Sequence, residues 1–386
     1  MTTTRHYDAI IIGGGLAGAG TARALAQRGR SVLLCETHPH LAAKASGNAR
    51  GLLMPYVATH TSPPGRLYAK GFRYTHTLLT QTFGDRNFYT ECGAMQLPAT
   101  KRLARILTES TECVGDAPIH RLSAEEGSDV AAITVPTPSF FIPQAGFCKP
   151  ADVTHALADT NNTSITIRCS HEVVDLTSDK SSWRVTFRNG DIEKAETVVL
   201  CGAHEITQLA ISSWIPLEAI RGQTVQAQSS PVSASLRTVI SYDGYITPEY
   251  DGVHFIGAHY RHNDMSEEPE QSDTNEILSR LYRTLPNISN LAVASSRVCF
   301  RASTHDRMPY IGALPLHETP PLFINAGHGS RGLLTAPIGG EIIARIVHNE
   351  PLEDLEEAAT IASAVRLTKR YEAATSGPPG ERAPSR

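Results

Sequence analysis

The 386-residue chain has no apolar run approaching the ~18 residues that a membrane-spanning helix needs. Nothing before its first strand-like segment has the apolar core of a secretory signal. It also lacks a strong charge of either sign, since its formal net charge is −4. This balance does not suggest a nucleic-acid-binding protein, although a local basic patch is compatible with it. The length suits two domains or one large one.

The chain also lacks the cysteine and histidine patterns of disulfide and zinc proteins. Its seven cysteines are odd in number, widely spread and without a CxxC pair. This usage predicts reduced thiols and a cytoplasmic location. No HExxH motif occurs, and the nearest approach to a metal pair, His259 with His262, is more simply a coincidence in a loop. We therefore expect no metal site.

What the chain does contain is a glycine-rich turn between a strand and a helix. A β-branched strand predicted at 7–12 leads into Gly13, Gly15 and Gly18, which have G-x-G-x-x-G spacing, and a helix predicted at 19–27 follows. The first glycine permits the tight turn, the second lets backbone approach a pyrophosphate, and the third allows close helix–strand contact. The helix N-terminus then attracts the phosphates.

A second strand, predicted at 31–35, ends at Glu36, which is 18 positions after Gly18. An acid in this place accepts hydrogen bonds from the adenosine ribose hydroxyls and disfavours the 2′-phosphate of NADP. The βαβ unit therefore predicts a dinucleotide site. By itself it does not distinguish NAD from FAD.

The remaining chain is predicted to alternate β-rich stretches with helices. Helices are predicted at 67–83, from 149 onward, at 276–285 and at 336–348. Four strands, at 165–168, 172–176, 183–187 and 196–201, are predicted to form one β-meander. Further strands are predicted at 297–301 and 322–325, and a β-rich section at 221–258. Residues 84–144 look loop-rich, and the tail 375–386 is expected to be disordered.

Three later motifs, taken with the N-terminal unit, resemble the D-amino-acid oxidase and glycine oxidase group of flavoproteins. They are Arg221-Gly222-Gln223, Arg301 with Met308-Pro309-Tyr310-Ile311-Gly312, and Gly327-His328-Gly329-Ser330-Arg331-Gly332. Within that group, two stretches are similar to the C-terminal oxidase domain of the bifunctional tRNA 5-methylaminomethyl-2-thiouridine biosynthesis family. They are Ala45-Ser46-Gly47-Asn48 with Gly51 and Pro55, and Gly329-Ser330-Arg331-Gly332-Leu333 with Ala336-Pro337. The family's usual methyltransferase domain has no counterpart here, which leaves open whether a separate methyltransferase is a partner.

The resemblance implies an α/β (α+β) fold with a discontinuous, Rossmann-like FAD-binding domain. A second, mixed β-sheet substrate domain of the glycine oxidase type would complete it. We expect the FAD-binding parts at 1–80, 145–215 and 296–350, and the substrate parts at 81–144 and 216–295. We also expect noncovalent FAD, because Arg301 stands near the place of the cysteine that tethers flavin in some relatives, and Cys299 is offset from it.

The reaction implied is FAD-dependent oxidation of a CH–NH donor. It would remove the carboxymethyl group from 5-carboxymethylaminomethyl-(2-thio)uridine 34 of tRNA and release glyoxylate, with the flavin accepting the hydride. The alternative is an oxidase or dehydrogenase of free glycine, sarcosine or D-amino acids. A non-catalytic flavoprotein is a third hypothesis, which the cation Arg301 beside the flavin motifs disfavours.

Three residues are candidates for catalysis, each with a structural alternative. Arg301 would hold the substrate carboxylate through its planar guanidinium, unless it forms a structural ion pair. Arg331 would hold substrate or stabilise the reduced flavin, or else form a salt bridge at a helix start. Tyr245 would line the substrate cavity or pack in the core. His328 is assigned no role as a base, because hydride transfer from a neutral amine needs none.

The remaining candidates are contacts to FAD and to tRNA. The expected FAD contacts are Gly13, Gly15, Gly18, Glu36, Ser46, Asn48, Gly51, Val173, Gly329, Ser330, Arg331 and Gly332. For Ser46 and Asn48 the alternative is N-capping of a short helix. The cations of residues 66–105 would form a phosphate-contacting rim or an ordinary solvated face. They are Arg66, Lys70, Arg73, Lys101, Arg102 and Arg105.

Overall fold

The chain passes back and forth between two structural units. The computed structural model describes residues 4–57, 62–101, 103–105, 113–114, 117–159 and 164–376. The first unit is made of Met1–Gly47, Pro150–Ala219 and Arg301–Arg386, and the second of Asn48–Lys149 and Ile220–Phe300. The first division thus falls after residue 47, earlier than the predicted 80. The reason is that the helix Pro63–Thr77 places Ala69 in an apolar cluster with Phe140 and Phe147 of the second unit.

The regular elements are short and mostly strands. The strands are β1 (His6–Ile12), β2 (Val32–Cys35), β3 (Gly51–Leu53), β4 (Tyr89–Thr90), β5 (Ala94–Gln96), β6 (Cys113–Val114), β7 (Ala117–Pro118), β8 (His120–Leu122), β9 (Ser139–Ile142), β10 (Gly146–Cys148), β11 (Ile165–Arg168), β12 (Val173–Ser178), β13 (Trp183–Phe187), β14 (Ile192–Leu200), β15 (Glu218–Gln228), β16 (Val239–Tyr242), β17 (Gly244–Ile246), β18 (Val253–Arg261), β19 (Val293–Ser303), β20 (Tyr310–Ala313) and β21 (Leu322–Ala326). The α-helices are α1 (Leu16–Ala26), α2 (Pro63–Thr77), α3 (Ala124–Ala131), α4 (Pro150–Leu157), α5 (Gln271–Thr284), α6 (Gly332–Val347), α7 (Glu356–Ala362) and α8 (Thr368–Ser376). None of the helices in the described ranges is long and apolar enough to cross a membrane.

A mixed sheet with the strand order β11-β2-β1-β14-β13-β12 is the centre of the first unit. The strand β2 and the second halves of β1 and β14 are apolar and mostly buried, as expected for strands covered on both faces. The first half of β14 pairs antiparallel with β13, and its second half pairs parallel with β21. The carboxyl ends of β1, β2, β14 and β21 therefore share one edge of the sheet, where α1 and α6 begin.

The structure corrects the predicted four-strand meander. Only β12, β13 and β14 form it. β11 instead lies at the opposite edge and pairs parallel with β2, with Ile165 opposite Val32. It follows the helix α4 rather than a hairpin turn, and such a crossover delivers a parallel strand.

The prediction of a loop-rich stretch over 84–144 is also wrong. The described part of this stretch holds several short strands and α3, because elements this short show no readable periodicity. A local signal for α3 was present, since Ser123 and Glu126 form a capping box with hydrogen bonds of 2.8 and 3.2 Å. At the other end of the chain, Thr375 and Ser376 of the predicted disordered tail lie in α8, and the rest of that tail is outside the described residues.

The second unit is centred on a sheet with the order β19-β15-β18-β17-β16-β5-β9-β8. Helix α5 covers one face, where Ile277 and Leu281 pack with Ile256 of β18. The Arg221-Gly222-Gln223 motif lies in β15. Arg221 is fully buried and donates to Asp273 Oδ2 at 2.6 Å and to the carbonyl oxygen of Glu268 at 2.7 Å. The motif therefore holds α5 and the segment before it to the sheet.

One histidine of the pair considered for metal, His259, belongs to this ionic network. His259 lies in β18 rather than in a loop, with Nδ1 2.9 Å from Arg280 Nη2 and Nε2 3.6 Å from Asp273 Oδ1. Because both ring nitrogens face charged partners, the histidine is explained without a metal. Within the described ranges, no group of three or more potential metal ligands occurs.

Candidate functional site

The turn from β1 to α1 admits only glycine at the first and third glycines of the G-x-G-x-x-G motif. Gly13 has φ +112°, and a Cβ there would lie 2.7 Å from the backbone of Cys201 and Gly202. A Cβ on Gly18 would lie 1.8 Å from the carbonyl oxygen of Gly13. Both values are far inside contact distance, so the chain can turn this sharply only without side chains. The turn sets the start of α1 directly above the end of β1.

The N-terminus of α1 is shaped to accept an anion. Gly15 is the N-cap and offers no side chain, and the first turn contains no acidic residue. The Leu16 amide donates to Ser46 Oγ at 2.9 Å, and a Cβ on Gly15 would lie 3.1 Å from that oxygen. Ser46 thus caps the distant helix α1, rather than only the short 3-10 turn Ala45–Gly47 in which it lies. The acid-free first turn, with its helix dipole, and the serine hydroxyl together fit a pyrophosphate.

Glu36 is held rigidly beside this helix end. Its Oε2 accepts from the Gly14 amide at 2.7 Å and its Oε1 accepts from the His38 amide at 2.8 Å, and the residue is buried. Each carboxylate oxygen keeps a second lone pair. The carboxylate is therefore held in one orientation, and its hydrogen bonds with the ribose hydroxyls stay a prediction.

The segment between β11 and β12 joins Glu36 to Val173, a predicted FAD contact at the start of β12. The Glu36 amide donates to the Arg168 carbonyl oxygen, and the His171 amide donates to the Glu36 carbonyl oxygen, both at 2.9 Å. Val173 follows two residues later, and its side chain packs in the core with Cys35. Its contact to FAD stays a prediction.

Helix α6 begins beside α1, and a buried amide joins the two. Asn325, at the end of β21, donates from Nδ2 to Thr21 Oγ1 and to the Ala336 carbonyl oxygen, both at 3.1 Å. A Cβ on Gly340 would lie 2.6 Å from the Thr21 nitrogen, so the helices touch backbone to backbone. Sequence reasoning missed Asn325. The available signal was a lone amide within the apolar strand Leu322–Ala326.

The glycine-rich segment before α6 meets the end of β19. The Gly329 amide donates to the Ala302 carbonyl oxygen at 2.8 Å, and Ser303 forms an isolated β-bridge with His328. Arg331 is the N-cap of α6 and makes no capping hydrogen bond through its side chain. The structure therefore brings Arg301, two residues before Ser303, to the turn that carries Arg331.

His328 is neutral in the folded protein. Its Nδ1 lies 2.8 Å from Thr335 Oγ1, and its enclosed Nε2 has no hydrogen-bond partner within the described ranges. Burial lowers the pKa of His328 to about 4, and a hydrogen bond with the Asn325 backbone offsets only part of this effect. A pKa this low makes the imidazole a weak base, which agrees with leaving the histidine without a role as a base.

The low pKa of His328 has a consequence for stability. Unfolded histidine binds a proton near pH 6.5, whereas His328 in the folded protein binds one only near pH 4. The stability that depends on neutral His328 is therefore fully present above pH 6.5 and is lost as the pH falls towards 4. We expect His328→Asn to lose less unfolding free energy between pH 7 and pH 5 than the parent, in urea titrations of the holoprotein at both pH values. His254, whose pKa burial also lowers, remains in both proteins, and an identical loss in both would contradict this account.

In the second unit, Tyr245 lies on the sheet face opposite α5. It pairs with Gly257 of β18, where a Cβ would lie 2.7 Å from the tyrosine ring, and Ile256 beside it points towards α5. Burial raises the pKa of Tyr245, with smaller contributions from Tyr260 and Cys299. Tyr245 is therefore a protonated side chain on a face that α5 leaves uncovered.

Arg301 lies on β19 in an alternating pattern. Phe300 and Ala302 are buried, whereas Arg297, Cys299 and Arg301 are half-buried and share the other face of the strand. Cys299 is thus two residues, or about 7 Å, from Arg301 along the same face. Arg301 remains the candidate for the substrate carboxylate.

The other predicted contacts lie in separate places. The Asn48 Oδ1 atom is buried and has no hydrogen-bond partner in the described part of the chain, which fits a ligand that supplies one. Gly51 lies in β3 opposite Cys148 of β10. Ser330 is exposed and Gly332 is the first residue of α6. All four stay predictions as FAD contacts.

These features are typical of a dinucleotide-binding protein, and comparison with known proteins identifies its family. Residues 8–346 match the family model described as FAD dependent oxidoreductase (DAO), so the chain belongs to that family. The expected cofactor, FAD, and the expected fold class are thereby confirmed. The cradle at Gly13–Gly18, the helix end at Ser46 and the oriented Glu36 carboxylate all suit this cofactor.

Curated relatives narrow the comparison. The tRNA 5-methylaminomethyl-2-thiouridine biosynthesis bifunctional protein MnmC of Chromobacterium violaceum is 31% identical over 379 residues, which are 90% of this chain and 57% of that protein. The MnmC of Ectopseudomonas mendocina is 32% identical over 383 residues, which are 91% of this chain and 58% of that protein. The chain thus spans somewhat over half the length of these relatives.

Solved structures share the fold at lower identity. Glycine oxidase from Geobacillus kaustophilus superposes with a TM-score of 0.80 at 24% identity, covering 94% of this chain and 99% of that one. L-proline dehydrogenase from P. horikoshii superposes with a TM-score of 0.79 at 18% identity, covering 95% and 99%. These similarities establish the architecture expected for a glycine-oxidase-type protein.

Proposed function

We propose that this protein oxidatively removes the carboxymethyl group from 5-carboxymethylaminomethyl-(2-thio)uridine 34 of tRNA. The observation that carries the proposal is the similarity over 90% of the chain to MnmC, a tRNA-modifying protein by name. The alternative substrates are free glycine, sarcosine and D-amino acids, which the fold of glycine oxidase favours. Both hypotheses require a carboxylate-bearing amine.

The bound FAD would accept a hydride from the carboxymethyl carbon next to the amine nitrogen. Arg301 would hold the substrate carboxylate with its guanidinium and so fix which carbon faces the cofactor. Tyr245 would remain a neutral wall of the substrate site, since burial keeps its hydroxyl protonated. Water then adds to the C=N bond, and glyoxylate leaves, with the aminomethyl group remaining on the base.

Arg331 would act at the start of α6. No acidic residue lies in the first turn of that helix, so its amide dipoles and the arginine together favour negative charge. We propose that Arg331 stabilises either the reduced flavin or the substrate carboxylate. The flavin itself would be held noncovalently, because Arg301 stands near the place of the cysteine that tethers flavin in some relatives and Cys299 is offset from it. Acid precipitation should therefore release all the yellow colour into the supernatant.

The remaining partners follow from this substrate. A methyltransferase, on further residues of this protein or on a separate chain, would act on the aminomethyl product. The cytoplasm is the location we propose, and the cysteines whose side chains the structure describes are all free thiols, as suits that compartment.

The test is anaerobic mixing of the holoprotein with tRNA carrying the carboxymethylaminomethyl group. We expect flavin bleaching and glyoxylate release in equal amounts. The same tRNA lacking the carboxymethyl group is the control and should cause no bleaching. Bleaching by free glycine, sarcosine or D-alanine but not by modified tRNA would support the alternative. Bleaching by none of these would support a non-catalytic flavoprotein.

A further inference from the structure

Helix α2 of the second unit has one buried face and one polar face. Ser62 caps it by accepting from the Gly65 amide at 3.2 Å, and two prolines occupy its first turn. The buried face is formed by Gly65, Leu67, Tyr68, Ala69, Gly71, Phe72 and Thr75. The spacing of these residues leaves a continuous polar stripe on the other side.

Three cations lie along that stripe, which we call the α2 cation row: Arg66, Lys70 and Arg73. Their spacing of four and three residues places them on one side of the helix, about 6 and 4.5 Å apart along its axis. Arg73 is exposed, and Arg66 and Lys70 are half-buried.

The charge of this helix contrasts with that of the whole protein. Residues Pro63–Thr77 include no aspartate or glutamate, although the chain carries a net charge of −4. His76 lies in the last turn of the helix, and its Nε2 is 2.7 Å from Oε2 of the neighbouring acid Glu91. The helix itself thus carries a row of cations and no acidic residue.

We propose that the α2 cation row docks the phosphate backbone of the tRNA anticodon arm. The α2 cation row matches the regular spacing of phosphates along a nucleic acid strand. Contacts with phosphates position a substrate without reading its sequence. This inference rests on the proposed function, which makes tRNA the substrate. Of the six cations that the sequence offers, it assigns these three; Lys101 and Arg105 are not part of the row, and Arg102 lies outside the described residues.

The test removes the row without touching the flavin or carboxylate residues. The variant Arg66→Ala/Lys70→Ala/Arg73→Ala keeps good helix formers on an outward face. A matched control removes the same charge from exposed cations of the first unit, as Lys180→Ala/Lys369→Ala/Arg370→Ala. For each protein, the Kd for modified tRNA is measured over a range of salt concentrations, together with flavin bleaching by the isolated carboxymethylaminomethyluridine nucleoside.

We expect the row variant to bind tRNA about 10- to 100-fold more weakly at low salt. The slope of log Kd against log salt should fall by about 2, because up to three phosphate contacts are lost at 0.7–0.9 each. The control should match the parent in both quantities, and all three proteins should be bleached equally by the nucleoside. Arg66→Lys/Arg73→Lys should keep the salt slope, which separates loss of charge from loss of helix packing.

Two failures are distinguishable. If the parent acts on modified tRNA and the row variant keeps its Kd and slope, the docking proposal is wrong and the proposed function stands. If modified tRNA neither binds nor bleaches the parent, the proposed function itself fails. If the row variant is poorly folded, Lys70→Gln/Arg73→Gln tests the same slope with Arg66 in place.

Discussion

Gly18→Ala is expected to abolish FAD binding. A Cβ at this position would lie 1.8 Å from the Gly13 carbonyl oxygen and 3.3 Å from Leu34 Cδ1. The first contact is with backbone, so no side-chain rotation relieves it. Either α1 or the turn must move, and the helix end then no longer faces the pyrophosphate. Forced overpacking of this kind costs at least the 1–3 kcal/mol typical of an added methyl group.

The measurement is the flavin content of the purified protein and the Kd for added FAD. We expect Gly18→Ala to be isolated without colour and to bind FAD at least 100-fold more weakly. Gly84→Ala is the matched control, because a Cβ there meets nothing within 4 Å and the backbone is not in a glycine-only conformation. Full FAD content in Gly18→Ala would show that this turn does not support the cofactor.

Arg301→Ala should raise KM by a factor of about 100 or more while the FAD remains bound. Removing one partner of a charge-assisted pair costs roughly 2–5 kcal/mol when the remaining charge is enclosed. The carboxylate is held equally in the ground state and the transition state, so the loss should fall mainly on KM and less on kcat. Steady-state kinetics with modified tRNA, and with the isolated nucleoside, measure both quantities.

Two further variants separate binding from structure at this site. Arg301→Lys keeps the charge but not the two-pronged geometry, so it should recover only part of the affinity. Arg297→Ala removes a cation from the same face of β19, four residues earlier, and should leave KM within about twofold. If Arg301→Ala instead loses FAD, or if both alanine variants behave alike, then Arg301 is structural.

The dinucleotide unit could be predicted from sequence because its requirements are local. Close contacts among Gly13, Gly18 and the adjoining strand require the glycine spacing, and Glu36 reaches the turn from the next strand. Single helices and strands with clear patterns, such as α1 and β13, were placed to within a few residues for the same reason. The short elements of 84–144 were missed because three or four residues carry no measurable period.

The sequence by itself determined the βαβ unit with its glycine-rich turn, and it predicted that this unit binds a dinucleotide. Only the tertiary structure decided which distant segments complete the site. Ser46 caps α1, the end of β19 meets the turn at Gly329, and Asn325 joins α1 to α6. The same holds for α2, whose Ala69 packs in an apolar cluster with Phe140 and Phe147 of the second unit. These contacts join residues far apart in the chain, and packing of the whole fold selects them, so no local pattern records them.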